Sequence, residues 1–249
     1  MNSYINRTAI KKMQFRSAGV SVLSYIVHPL KDAGIYFGKI YKGEKLLDEF
    51  KIACLEGCNE KQVNINLSDF NFQQIAEKGQ KTYELSSEGY LLLYDSASNN
   101  DYQIRLEMAS KDRSPKVVFD TKVLDEGDFY AATLLRPGEY KGRNLKNNAE
   151  FEVTVVYPDN KQITKSSEVI PPANIEVKKD GFYPASVKIN PGQGLVFTIK
   201  TPSTIELGLK KGYEKELTYD PELTRDKKSK NIRNRYRWVN PNKPMRKPD

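Results

Sequence analysis

Between residues 20 and 108 apolar and polar positions alternate with a period of two, broken at short intervals by turn signals. That is the pattern of half-buried strands, whose successive side chains point to opposite faces of a sheet. The run 20–27 stops at His28-Pro29. Runs 35–41 and 46–52 flank Lys42-Gly43-Glu44 and read as a hairpin. Residues 62–67 alternate again, after which Ser68 or Asp69 caps a short helix through Phe70, Phe72, Ile75 and Ala76, closed by Gly79. Runs 83–85, 90–94 and 102–108 complete a first all-β set.

Lys111-Asp112-Arg113-Ser114-Pro115 is polar and contains a strand-breaking proline, which makes it the natural boundary. Beyond it come short runs at 117–121, 129–135, 139–142, 151–157, 175–178, 187–189, 195–199 and 205–209. They are punctuated by Pro137-Gly138, Pro158-Asp159-Asn160 and Pro191-Gly192, turns that leave little room for helices. The expected architecture is therefore all-β. Two antiparallel β-sandwich-like domains, 1–112 and 113–210, are followed by an extended basic C-terminal arm, 211–249, with the single short helix in the first domain.

One stretch of the second domain has a family sound. DGFYPASVKINPGQGLVFTIKTPSTIEL, residues 180–207, combines Phe182 and Pro184, an alternating strand, the Pro191-Gly192 turn and a second alternating strand. Over residues 174–209 the chain resembles a cupredoxin-like or Ig-like β-sandwich. The resemblance implies that Phe182 and Pro184 lead into the core and that Val196 and Ile199 face it. It does not bring copper. A blue-copper site uses two His and one Cys, whereas the chain has one histidine, His28, and Thr201-Pro202-Ser203-Thr204 stands where the family places its first.

Other chemistry is sparse. Cys54-Leu55-Glu56-Gly57-Cys58 separates its thiols by three residues and has no second pair to close a zinc site. Free thiols are expected. His28 beside Pro29 reads as a packed or capping histidine, Asp95–Asp101 as a loop tip lacking the glycine of a calcium loop, and Asp125-Glu126-Gly127-Asp128 as a turn. No phosphate-binding loop, dinucleotide fingerprint or nucleophile elbow occurs. A glycosidase needs only two carboxylates and leaves no such local mark. No cofactor, metal or catalytic residue is expected.

Charge changes this picture. The formal net charge is +8, and residues 225–249 hold ten Lys/Arg against two Asp. The remainder, with thirty basic and thirty acidic groups, is neutral. The arm also carries the only Trp, with Tyr236 and Trp238 interleaved among Arg233, Arg235 and Arg237, followed by Pro241, Pro244 and Pro248. Arginine and tryptophan are frequent anchors of protein interfaces, and arginines alternating with aromatics also suit phosphates and stacked bases. These five residues, Arg233 to Trp238 without Asn234, are the candidate partner-binding residues. The expected function is a non-enzymatic assembly subunit of a larger particle, such as a phage-like tail, injection apparatus or capsid, with the arm gripping a neighbouring subunit. A nucleic-acid-binding protein is the alternative, and a carbohydrate-binding module or loop-site enzyme the third. The apolar runs are too short to span a bilayer, and the first residues lack a signal-peptide apolar stretch. A cytoplasmic or particle-bound location follows as an expectation.

Overall fold

The computed structural model describes residues 9, 11–70, 80–97, 100–109, 114–157 and 170–213. Among these, seventeen strands build three sheets. One has the order β1 (Gln14–Arg16), β17 (Ile205–Gly212), β11 (Gly138–Asn144), β12 (Glu150–Val155), β15 (Ser186–Ile189). A seven-stranded sheet runs β14 (Gly181–Tyr183), β13 (Ala173–Lys178), β16 (Gly194–Ile199), β10 (Phe129–Thr133), β2 (Ser24–Pro29), β7 (Tyr90–Tyr94), β5 (Gln62–Asn66). The third is β6 (Lys81–Ser86), β4 (Lys45–Leu55), β3 (Gly34–Lys42), β8 (Gln103–Met108), β9 (Lys116–Asp120). The all-β reading holds.

The alternation read along the chain becomes the two faces of these strands. In β3, Tyr36, Gly38 and Ile40 are buried while their neighbours lie toward the surface, and in β7 the same is true of Leu91 and Leu93. In β16 the buried set is Leu195, Phe197 and Ile199. Val196 therefore lies on the outer side, correcting its expected place in the core. A strand side chain repeats every second residue, so two positions three apart cannot share a face.

Two expectations about arrangement change. The sheets are mixed rather than antiparallel: β4 pairs with β6, β5 with β7, β12 with β15 and β13 with β16, all parallel. The cause is alternation between layers. The chain passes from β4 to β5 in another sheet and back to β6, reversing direction each time, so the two strands that meet in one sheet point the same way. The two expected sandwiches also share a sheet. Residues 110–113 at the expected boundary lie outside the described residues, but β8 pairs with β9 across it, and β2 pairs with β10 through Ile26↔Tyr130 and Tyr25↔Ala131. A single apolar cluster runs from Phe15 to Leu207.

The seven-stranded sheet serves both ends of the molecule. Phe151 of β12 packs against Phe182 at 4.3 Å and Phe197 at 5.2 Å between ring centroids. At the other end Phe50 of β4 meets Tyr83 of β6 at 6.1 Å. Both phenylalanines lie directly opposite a glycine, Phe50 across from Gly38 and Phe151 across from Gly142. A Cβ on either glycine would stand 2.1 Å from the facing ring. Each glycine thus makes room for an aromatic from the next strand.

The expected helix is replaced in part by a 3₁₀ turn, Leu67–Asp69, capped by Asn66, whose side chain accepts from Ser68 N. Phe70 is extended, so neither Ser68 nor Asp69 acts as a helix cap. Residues 71–79 lie outside the described residues. Two short strands were missed by the sequence reading, β1 and β14. β1 buries Phe15 and joins β17, and Ser17 N donates to Ile205 O at 2.9 Å, while Ile205 N donates to Ser17 Oγ at 2.8 Å. Among the described residues no helix is long and apolar enough to cross a membrane.

Candidate functional site

The candidate partner-binding residues Arg233, Arg235, Tyr236, Arg237 and Trp238 lie outside the described residues, which end at Tyr213. Tyr213 itself is fixed to the body, its N–H on Pro137 O at 3.2 Å and its hydroxyl donating to Glu139 at 2.8 Å. Tyr213 follows the end of β17 and lies beside the β10–β11 connection.

The stretch that resembles a cupredoxin forms β13 to β17. Where a metal-binding histidine would stand, the chain builds a polar latch. Asn144 Nδ2 donates to Ser203 Oγ at 3.1 Å, Thr204 N donates to Asn144 Oδ1 at 3.1 Å, and Thr204 Oγ1 donates to Lys122 O at 2.7 Å. Asn144 and Ser203 are fully buried. Every one of these groups is spent on joining β11, β17 and the 122–124 turn.

His28 sits near the end of β2, its ring 4.4 Å from that of Phe119. Nδ1 lies 2.7 Å from Asp128 Oδ1, and Asp128 Oδ2 accepts from Asp125 N at 2.8 Å. The other ring nitrogen, Nε2, has no hydrogen-bond partner among the described residues. The pair has the form of an oriented base. Among the described residues no Ser, Cys or Lys side chain is bonded to it, and the pair joins the 125–128 turn to β2. In that turn Asp125 and Glu126 are exposed while Asp128 faces inward, which is why its carboxylates do not converge on a cation.

A second polar cluster was not anticipated. Lys12 is buried, and its ammonium donates to Ser21 Oγ. Ser21 N donates to Ser24 Oγ at 3.0 Å, and Ser24 Oγ donates to Ser21 O at 2.8 Å. Burial holds the Lys12 amine below the ordinary lysine range, with Asp101 and Asp95 pulling part of the way back. An amine beside a hydroxyl is chemically a base and a nucleophile. Both serines are, however, 1% exposed, and the Ser24 hydroxyl is spent on closing the 21–24 turn. The cluster anchors the start of the chain. No local pattern in residues 9–17 marks it, because the partners come from positions 9 to 89 residues away.

Neither cysteine forms a disulfide. Cys54 is buried, its thiol donating to Ser86 O at 3.5 Å, and burial first, then Asp32 and Cys58, push its pKa up. That makes it a poor nucleophile. In the 95–101 loop, Asp95 Oδ1 accepts from the Ser68 hydroxyl and, at 2.9 Å, from Ala97 N. Among the described residues no three His, Cys, Asp or Glu side chains gather as a metal site.

The outer face of the first sheet carries a row of paired charges. Across four strands Arg16, Glu206, Arg143 and Glu150 stand in one row, alternating in sign. Arg16 Nε lies 3.3 Å and Arg143 Nη2 3.1 Å from the Glu206 carboxylate, and Lys141 Nζ reaches Glu150 at 2.6 Å. The chain matches no family model, no curated protein and no solved structure.

Proposed function

We propose that the chain is a non-enzymatic assembly subunit of a larger particle, whose segment 211–249 binds a neighbouring subunit through Arg233, Arg235, Tyr236, Arg237 and Trp238. The observation that supports this reading is where the charge lies. The whole excess of +8 falls in residues 225–249, together with the only tryptophan, whereas charges of the body meet in ion pairs such as Lys39–Glu107 at 2.8 Å and the Arg16–Glu206–Arg143 row. A body of interlocked sheets resists deformation, and a basic aromatic segment reaches a partner without a matching flat surface. Arg and Trp supply the desolvated anchors of such contacts.

Deleting Arg225–Asp249 and measuring mass by light scattering tests the reading. A complex or oligomer formed by the full chain and absent from the truncated one supports it; the same monomer in both overturns it. Nucleic acid is the second reading, carried by the alternation of arginine with aromatics. It predicts salt-dependent binding of single-stranded RNA or DNA that is lost when Arg233, Arg235 and Trp238 are replaced.

A further inference from the structure

The outer face of the seven-stranded sheet carries no charge over its four central strands. Along β16, β10, β2 and β7 every outward position is apolar, aromatic, glycine or threonine. In a chain of which 29% is Asp, Glu, Lys or Arg that calls for a reason, and the row of ion pairs on the outer face of the first sheet shows the contrast. The inward positions, such as Ile26, Leu93, Tyr130 and Phe197, are fully buried in the core. Tyr25, Val27, Leu92, Tyr94, Phe129 and Val196 stand outside the core cluster, and among the described residues they remain partly exposed. A contiguous apolar patch with a polar rim marks an interaction surface.

Register orders this face into rows. One reads Asn174, Val196, Ala131, Tyr25, Tyr94, Asn66. The next reads Thr198, Phe129, Val27, Leu92, with Glu176 and Asn64 at its ends. A polar rim around an uncharged, aromatic centre is the anatomy of a protein interface, and a charged ligand would find no counter-charge there. Six strands about 4.8 Å apart, each presenting five residues at about 3.3 Å, make a face of about 500 Å². Two such faces cover about 1,000 Å², the size that a specific interface reaches. The rows also fit themselves. A two-fold axis along the strands, between β10 and β2, lays each row on its own reverse in a second copy. Tyr25 then meets Ala131, Phe129 meets Val27, Tyr94 meets Val196 and Leu92 meets Thr198. In each pair a bulky side chain faces a smaller one, which lets two sheets pack closely, and Asn174 meets Asn66 at both rims.

We infer that a second copy of this chain covers the face, the two seven-stranded sheets packing as an isologous pair centred on β10 and β2. Burial of the paired aromatic and aliphatic side chains drives the association, and the absence of charge removes any repulsion between identical surfaces. This interface is separate from segment 211–249. It rests on sheet register alone, so the deletion that tests the segment leaves it in place.

The experiment uses the purified full chain with a photo-activatable phenylalanine analogue in place of Tyr25. Isotope-labelled and unlabelled copies are mixed, and cross-linked peptides are read by mass spectrometry. Mixed-label cross-links from position 25 to β10 around Ala131 are the expected result. Light scattering adds a second measurement. Val27→Glu places a carboxylate beside the axis and lowers the mass of the full-chain species twofold, while its unfolding stays cooperative. The cross-link does not depend on that variant folding. Four results would overturn the inference: cross-links confined to one copy, which would put the chain's own segments on the face; cross-links only to residues 214–249 of a second copy; no cross-link; or an unchanged mass in cooperatively folded Val27→Glu.

Discussion

Tyr130 is fully buried and its hydroxyl has no hydrogen-bond partner among the described residues. A buried donor left unmade costs about 1–3 kcal/mol, so Tyr130→Phe is expected to raise stability by about 1 kcal/mol in chemical denaturation. The same residue shapes the alkaline limb. Burial, with Asp101, raises the Tyr130 pKa, and burial, then Cys54 and Asp32, pushes Tyr36 up to about 12. A raised tyrosine keeps its proton in the fold but loses it on unfolding near pH ~10. The native state then binds more protons than the unfolded chain, and stability falls as pH rises. Its contribution is fully present below pH ~10 and is lost between there and about 12 for Tyr36. The midpoint should decline across that window, and Tyr130→Phe should decline less steeply. Runs 35–41 and 90–94 were readable in sequence as strands, while the face that each buries was set by the fold. The resemblance misled at Val196, because Leu195, Phe197 and Ile199 share the opposite face and that face is the one buried.

At the scale of elements, the period-two runs placed most of the strands because alternation is a local property. The partners of those strands are not local. Nothing in residues 45–94 distinguishes four strands in one meander from four that alternate between two layers, since the faces alternate identically in both. The parallel pairs β4–β6 and β5–β7 were therefore invisible, as were β1 and β14, three residues each and too short to show a period. The Gly–Phe pairs are a device that the sequence holds without announcing. Gly142→Ala places a Cβ 2.1 Å from the Phe151 ring and 2.9 Å from Glu206 O. It should cost about 1–3 kcal/mol through displaced packing, measured by urea unfolding. The candidate metal and catalytic groups were legible only as residue types. His28 and Asp128 stand a hundred residues apart, and their contact depends on the β2–β10 pairing.

For the whole molecule, the seven-stranded sheet decides how the chain folds. β2, β7 and β5 come from the first part of the sequence and β10, β16, β13 and β14 from the second, so neither half keeps its own sheet. A fragment of residues 1–112 would expose Ile26 and the free edge of β2, and β1 would lose β17. Such a fragment is expected not to fold alone, and its amide proton spectrum should lack the dispersion of the intact chain; a well-dispersed spectrum would restore an independent first domain. The role proposed for the molecule rests on the segment beyond Tyr213, where charge and aromatic content were legible from composition alone while any partner is a property of another molecule. A photo-activatable cross-linker in place of Trp238, used in the native complex and followed by mass spectrometry, tests that role most directly. Cross-links to a second protein chain, the same or different, are the predicted result. Cross-links confined to nucleic acid or to the body of the same chain would contradict it.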